Sequence, residues 1–309
     1  VVVIGDANVD LEIRLPSPGP NAVHATPDPR LCGGGSAANT AAALARLGVS
    51  CRFVGAVGDD GYGRFATASL EEAGVDVGGV VATRRAPTVM VLVVIPPDGD
   101  RLIYVWPPTG GAHADLDPET ATAGAADADW LHVSGICLRV SPAREAVLAA
   151  MEQAQSAGVP VSFDLNLRLE NWGWEEAFRD VAMAAVERAD VVVGAATDEI
   201  AALAGVTDPV EAALTLAGDE RLVIARRGAS GAIGCSSDGV VSVPGFEVAV
   251  VDTVGAGDAF NAGFIAARLR GAGVGDSLRW GNAVAALTIA RHGARSTPSP
   301  SEVQGLLAR

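Results

Sequence analysis

Apolar positions along this chain follow two rhythms, and the change between them falls near residue 130. In the first part, residues 1–4 form an unbroken apolar strand and residues 11–15 alternate like a second one. Residues 17–30 are rich in Pro and polar side chains and read as a loop. Residues 36–47 are rich in Ala and Leu and close on Gly48, the pattern of a helix with a C-terminal glycine. Residues 51–57 read as a strand, and residues 64–73 as a helix ending at Gly74. Residues 88–95 and 101–106 flank Pro96-Pro97-Asp98-Gly99-Asp100, a hairpin with Asp-Gly at its turn.

Beyond Trp130, short apolar strands at 131–134, 161–164, 190–193 and 222–225 are separated by helical stretches at 143–157, 175–188, 197–204 and 210–217. Such alternation predicts a parallel sheet with helices on both faces, because parallel strands are joined by crossover helices. A late hairpin at 232–234 and 240–243 precedes two long helices at 256–270 and 278–291. The predicted architecture is a single doubly wound α/β domain over residues 1–309. A small β-sheet lid, built from about 10–32 and 86–108, projects from it.

Composition narrows the partners. Of 309 residues, 49% are hydrophobic, so a large core can form, yet no apolar run is long enough to span a bilayer. The first strand carries no basic leader pattern, and a cytoplasmic location is expected. A net charge of −15 argues against nucleic acid and anionic lipid as partners. It leaves room for an anionic nucleotide, because backbone donors and a metal bind phosphate locally. Cys32, Cys51, Cys137 and Cys235 show no paired spacing and read as reduced thiols.

The richest chemistry lies in Asp252-Thr253-Val254-Gly255-Ala256-Gly257-Asp258-Ala259-Phe260. Phosphoryl transfer to an alcohol needs donors for the phosphate charge, a metal, and a base for the hydroxyl proton. Gly255-Ala256-Gly257 lets successive N–H groups turn toward one point, and the helix that follows adds its positive end. Asp258, in the first turn, can reach an incoming hydroxyl. Asp252, before the turn, can orient metal-bound water or a cation. A simple helix cap explains an aspartate here equally well.

Residues 252–258 match D-T-x-G-A-G-D, the C-terminal signature of the ribokinase (PfkB) family of sugar and nucleoside kinases, at every fixed position. The chain resembles that family along nearly its whole length. Gly33-Gly34-Gly35-Ser36-Ala37-Ala38-Asn39 is similar to its G-G-x-x-x-N element, which implies a lid hinge at Gly34 and Gly35 and sugar hydroxyls on Asn39. By the same resemblance Asn8 and Asp10 contact the substrate. The run Gly33–Ala38 also fits a dinucleotide fingerprint, which needs a strand immediately before it; Pro27-Asp28-Pro29-Arg30 does not read as one.

Asp164-Leu165-Asn166-Leu167-Arg168, followed by Trp172, ends a parallel strand where ligands sit in open α/β sheets. It resembles members acting on ketoses and 2-keto-3-deoxygluconate; Arg168 is expected on a phosphate or substrate and Asn166 on nucleotide or sugar. An Asp164–Arg168 salt bridge is the plainer alternative. Arg226-Arg227-Gly228-Ala229-Ser230-Gly231 resembles the nucleotide-side element, so Arg226, Gly228, Gly231 and the helical Asn282 are expected at ATP. Glu199 matches the family acid that acts on Mg²⁺ through water, but Ala196 stands where the family has asparagine, which alters the metal's surroundings. Asp252 with Gly293-Ala294 resembles a potassium site of some members. His113 reads as solvent-exposed.

The resemblance implies an ATP- and Mg²⁺-dependent kinase in which Asp258 deprotonates a primary hydroxyl over the Gly255, Ala256 and Gly257 turn. No arginine lies in 106–110, which favours a neutral pentose or hexose over a sugar acid. 2-Keto-3-deoxygluconate or a nucleoside stacked on Trp106 are the alternatives, as is a non-catalytic binding regulator. Arg84, Arg85 and Arg101 are the basic residues near the lid for a substrate that already carries phosphate. Homodimerisation through the lid strands is expected.

Overall fold

The computed structural model describes residues 1–15, 28–96, 102–108, 110–169 and 173–308. These residues form a nine-stranded sheet and a separate four-stranded one. In the large sheet, β1 (Val2–Ile4), β4 (Arg52–Gly58), β5 (Asp76–Thr83), β8 (Leu131–Ser134), β9 (Val161–Asp164), β10 (Val191–Ala195) and β11 (Leu222–Arg226) run parallel. Two antiparallel strands, β12 (Ala232–Ser236) and β13 (Gly239–Val243), finish one edge. The strand order is β13-β12-β11-β10-β9-β8-β1-β4-β5. From β1 the chain winds outward to β4 and β5; from β8 it winds the other way. The order therefore reverses between β1 and β8, where the carboxyl ends of the strands open a ligand crevice.

Period-two alternation assigns each strand residue to one of two cores. Val2 and Ile4 pack with Val54, Val133 and Phe163 against helices that include Ala143–Ser156 and Pro209–Ala217. Val3, with Phe53, Val193 and Ile224, packs on the other face against helices Ser36–Arg46, Ala256–Leu269 and Val274–Ile289. Both faces are buried, so β1 and most of β11 read as continuous apolar runs.

The small sheet has the order β3-β2-β6-β7, with β2 (Asn8–Arg14), β3 (Asp28–Gly34), β6 (Met90–Ile95) and β7 (Leu102–Trp106). β2 pairs antiparallel with β3, which sets Asn8 opposite Gly34 and Asp10 opposite Cys32. The predicted 88–106 hairpin is the antiparallel β6–β7 pair, and its Asp98-Gly99 turn lies outside the described residues. So do Trp172 and Arg101.

Three expectations need correction. Residues 28–30 are the start of strand β3, not loop, so the dinucleotide fingerprint is not excluded by a missing strand. It fails because β3 lies in the small sheet, antiparallel to β2, while the strand after the helix, β4, belongs to the large one. β5 is an unpredicted edge strand, with Gly78 and Gly79 in its middle. The stretch 197–204 opens with a wide π-helical turn over Ala196–Ile200 before one short helix.

Candidate active site

Two helices that start on glycine face each other. Helix Ala256–Leu269 begins after Gly255 in the left-handed region, φ 78°, where a Cβ would stand 2.7 Å from the Ala294 carbonyl oxygen. Helix Ser36–Arg46 begins after Gly35, φ 96°, where a Cβ would stand 2.5 Å from the Asp6 carbonyl oxygen. Asp6 takes over the missing cap: its carboxylate accepts from the N–H groups of Ser36 at 3.0 Å and Ala37 at 3.3 Å.

Asp258, in the first turn of its helix, spans the gap. Its Oδ1 accepts from Ser36 Oγ at 2.7 Å and its Oδ2 from Asn39 Nδ2 at 3.0 Å. A little of its surface meets solvent, with protein packed closely around the rest. Burial pushes its carboxyl up to about 6, against the downward pull of the bonds from Asn39 and Ser36. A carboxylate with that value is mostly ionised at neutral pH and still basic enough to take a proton.

The small sheet supplies a second carboxylate. Asp10 is raised to about 6 by burial, with Arg295 opposing the rise. A Cβ on Gly34 would lie 2.5 Å from Asp10 Oδ1, and one on Gly33 would lie 2.2 Å from Arg295 Nη1. At both positions glycine leaves the space that these side chains occupy. The Asn8 side chain is buried, donates to Asp10 Oδ1 at 3.4 Å, and leaves its own Oδ1 without a partner among the described residues. That atom is a ready acceptor for a ligand hydroxyl. A cavity of about 260 Å³ lies beside these groups, lined by Asp10, Cys32, Gly33, Asp252, Gly293 and Arg295 among others. A larger cavity of about 470 Å³ touches Trp130, Pro160, Asp190 and Leu222, at the amino ends of the strands and so on the opposite side from Asp258.

Arg226 organises the other flank. Its Nη2 lies 2.8 Å from Asp164 Oδ1 and 3.9 Å from Glu199 Oε2, and its Nη1 donates to Asn261 Oδ1 at 3.4 Å. The second Asp164 oxygen accepts from Asn261 Nδ2 at 2.8 Å. The guanidinium abuts the glycine turn, since a Cβ on Gly257 would lie 2.5 Å from Nη1. Asp164 therefore pairs with Arg226 and not with Arg168. Arg168 is exposed, sits in the left-handed region at φ 49°, and makes no hydrogen bond or ion pair with the described residues.

Glu199 uses both carboxylate oxygens on backbone N–H groups, of Leu167 at 2.8 Å and Ala195 at 2.7 Å, across the ends of β9 and β10. Asn166, at φ 37°, donates to Ser134 Oγ at 3.4 Å. Asn282 is buried and donates to the carbonyls of Val243 and Pro244, at 3.3 and 3.0 Å. It is neither a surface amide nor a group with free N–H donors. Gly228 and Gly231 take positive φ in the turn between β11 and β12, and a Cβ on Gly231 would meet the Val243 carbonyl at 2.2 Å. Asp252 joins two loops, accepting from Val254 N–H and Gly293 N–H, each at 3.1 Å. His113 is half-buried, contrary to the exposed position expected of it, and burial lowers its affinity for a proton.

Asp6, Ser36, Asn261 and Arg295 complete this site and escape the motif reading. Ser36 lies inside the quoted glycine element, as the first residue of the helix, and that position is the only signal it gives. Nothing in the sequence singles out Arg295, which reaches the site from the loop after the last long helix.

Residues 1–302 match the pfkB family of carbohydrate kinases. An ATP-dependent ribose-1-phosphate kinase of Halopiger xanaduensis is 35% identical, over 100% of this chain and 98% of its own length. A fructokinase of Klebsiella pneumoniae is 35% identical over 89% of this chain and 86% of its own. The crystal structure of a fructokinase with bound ATP from Xylella fastidiosa superposes with a TM-score of 0.87 at 29% identity, covering 100% of this chain and 98% of that one. The chain belongs to the PfkB family and is a carbohydrate kinase with the ribokinase-like fold.

Proposed function

We propose that this kinase transfers the γ-phosphoryl group of ATP to a primary hydroxyl of a neutral pentose or hexose, with Asp258 as the general base. The observation that carries this reading is the setting of Asp258: a partly buried carboxylate raised to about 6, held by Ser36 and Asn39 at the start of a glycine-led helix. The sugar lies between the large sheet and the small one, which acts as a lid. Asn8, Asp10 and Asn39 address its hydroxyls, and Gly34 and Gly35 allow the backbone to approach. Asn8 Oδ1, buried and without a partner among the described residues, supports a hydroxyl donor at that point.

As the hydroxyl oxygen attacks phosphorus in line, its proton passes to an Asp258 carboxylate oxygen and ADP leaves. The N–H groups of the Gly255-Ala256-Gly257 turn and the end of the helix dipole face the transferring charge. Arg226, against Gly257, adds a fixed positive charge nearby. Gly228, Gly231, Asn166 and Asn282 shape the nucleotide side.

Magnesium is expected with ATP. No three His, Cys, Asp or Glu side chains converge as metal ligands among the described residues. Mg²⁺ that keeps most of its waters and rides on substrate phosphates needs little from the protein, and Glu199, whose two oxygens accept from backbone N–H groups, would act on it through water. When bound, the ion screens phosphate charge. Asp252, drawing residues 254 and 293 together, is the residue for a monovalent cation such as K⁺.

Arg168 favours a second reading, a sugar that already carries phosphate. It is an exposed cation without an ion pair among the described residues, and its charge reaches Asp10. The same acceptor is in the name of the Halopiger relative. Arg84 is a weaker candidate, because it pairs with Asp59 at 2.8 Å. ADP release with fructose, ribose, ribose 1-phosphate, 2-keto-3-deoxygluconate and nucleosides separates the readings; turnover with the sugar acid alone would contradict both. A homodimer through the lid is supported by β7, where Leu102 to Trp106 are all at least 43% exposed along an edge strand. A cytoplasmic enzyme suits ATP as donor; no single described helix is long and apolar enough to cross a membrane.

A further inference from the structure

Arg295 is the chain's largest departure from what its motifs explain. It lies in the loop between helices Val274–Ile289 and Pro300–Leu307, yet its bonds go to three distant segments. Nε donates to Asn39 Oδ1 at 3.0 Å, Nη2 to the Gly34 carbonyl at 3.1 Å, and Nη1 to Ser69 Oγ. Gly33 has no side chain where the guanidinium passes. Bonds from several directions hold the arginine in one orientation.

The consequence falls on Asn39. An amide has one accepting end and one donating end, whereas a guanidinium only donates. Asn39 must therefore turn its oxygen toward Arg295, and its Nδ2 is left facing Asp258 Oδ2 at 3.0 Å. Without the guanidinium the amide is free to turn over. Its oxygen would then face a carboxylate, which is repulsive when Asp258 is ionised and bonded when it is protonated.

We propose that Arg295 is a positioning residue that acts through Asn39, fixing the amide so that the base stays ionised and aimed. The inference rests on the reading of Asp258 as the base. It assigns a task to the C-terminal loop: one side chain ties together the hinge glycines, the substrate-side asparagine and the catalytic carboxylate. Loss of the positive charge works in the same direction, since Arg295 and Asp258 attract each other.

The test is a ¹³C-carboxyl NMR titration of Asp258 in the native enzyme and in R295M, with D258N assigning the signal. Beside it, kcat is measured for R295M, N39A and the double variant on the best sugar. The proposal predicts an Asp258 midpoint about half a unit or more above native in R295M. It also predicts a kcat lower by ~10–100-fold. R295M should lower kcat no further once Asn39 is alanine. An unchanged midpoint, or losses that multiply in the double variant, would overturn it. The titration needs no turnover, so it reports on Arg295 even if D258N proves active, an outcome that would sink only the base assignment. R295K, which keeps charge and bulk but has no Nε–H, takes the place of R295M if that variant does not fold.

Discussion

Asn39 Nδ2 lies 3.0 Å from Asp258 Oδ2, although 219 residues separate the two in the chain. Each sits in the first turns of a helix opened by a glycine at positive φ. The fold thus brings the two glycine-led motifs together as facing helix starts, and the asparagine read as a sugar ligand also touches the candidate base. On the proposed roles, that one hydrogen bond links substrate recognition to chemistry.

The pH profile follows from that setting. A general base works ionised, and burial raises Asp258 to about 6. kcat/KM should be flat through pH 7–8 and fall about tenfold per unit below pH ~6. A profile still flat at pH 4.5 would contradict the assignment.

Asp258 should also weaken the fold. Its folded value lies above its ordinary 3.8, so the native state favours the protonated form. The group therefore costs nothing below about pH 4, costs progressively more up to pH 6, and its full penalty above, at most ~3 kcal/mol. Asn at this position keeps both partners, accepting from Asn39 and donating to Ser36 Oγ. D258N is expected to melt higher than the native chain at pH 8 and at the same temperature at pH 4. Thermal unfolding at the two pH values decides it.

The Asp164–Arg226 pair gives a different stability signature. Asp164 is 2% exposed and its main cation is Arg226. R226M leaves that carboxylate buried and unpaired, so urea unfolding should show a loss of ~3–5 kcal/mol. D164N added to R226M should recover part of the loss. Equal stability of R226M and the native chain would mean that the pair is not closed in solution.

Gly33 and Arg295 should depend on each other. A Cβ on Gly33 collides with a guanidinium that is itself bonded to Asn39, Gly34 and Ser69. G33A should destabilise the enzyme by ~1–3 kcal/mol through overpacking and lower kcat in the manner of R295M. In an R295A background the same substitution should cost less, with only the Ser69 hydroxyl left to move aside.

The fold is legible in the sequence where both faces of a strand are buried. Residues 2–4 and 222–225 are unbroken apolar runs because helices cover them on each side, while 131–134 and 161–164 are short, mostly buried segments that carry His132, Ser134, Ser162 and Asp164. β3 is not legible: Asp28, Pro29, Gly33 and Gly34 carry no strand propensity, and pairing with β2 alone makes them extended. An edge position tolerates Pro29. In the site, the glycine turns and Asp258 stand out because few residue types can serve there. Arg295 does not, because its role arises only when Gly34, Asn39 and Ser69 converge on one loop. The partner of Asp164 is hidden for the same reason. Arg168 is four residues away in the chain, but Arg226, 62 residues away, is the one that arrives.

The central claim is that Asp258 takes the hydroxyl proton during phosphoryl transfer from ATP to a sugar. ADP release with ATP, Mg²⁺ and the sugar panel, native chain beside D258N, tests it most directly. The account predicts steady turnover on a pentose or hexose, free or phosphorylated, and a loss of ~10²–10⁴-fold in D258N. Undiminished turnover in D258N would contradict it.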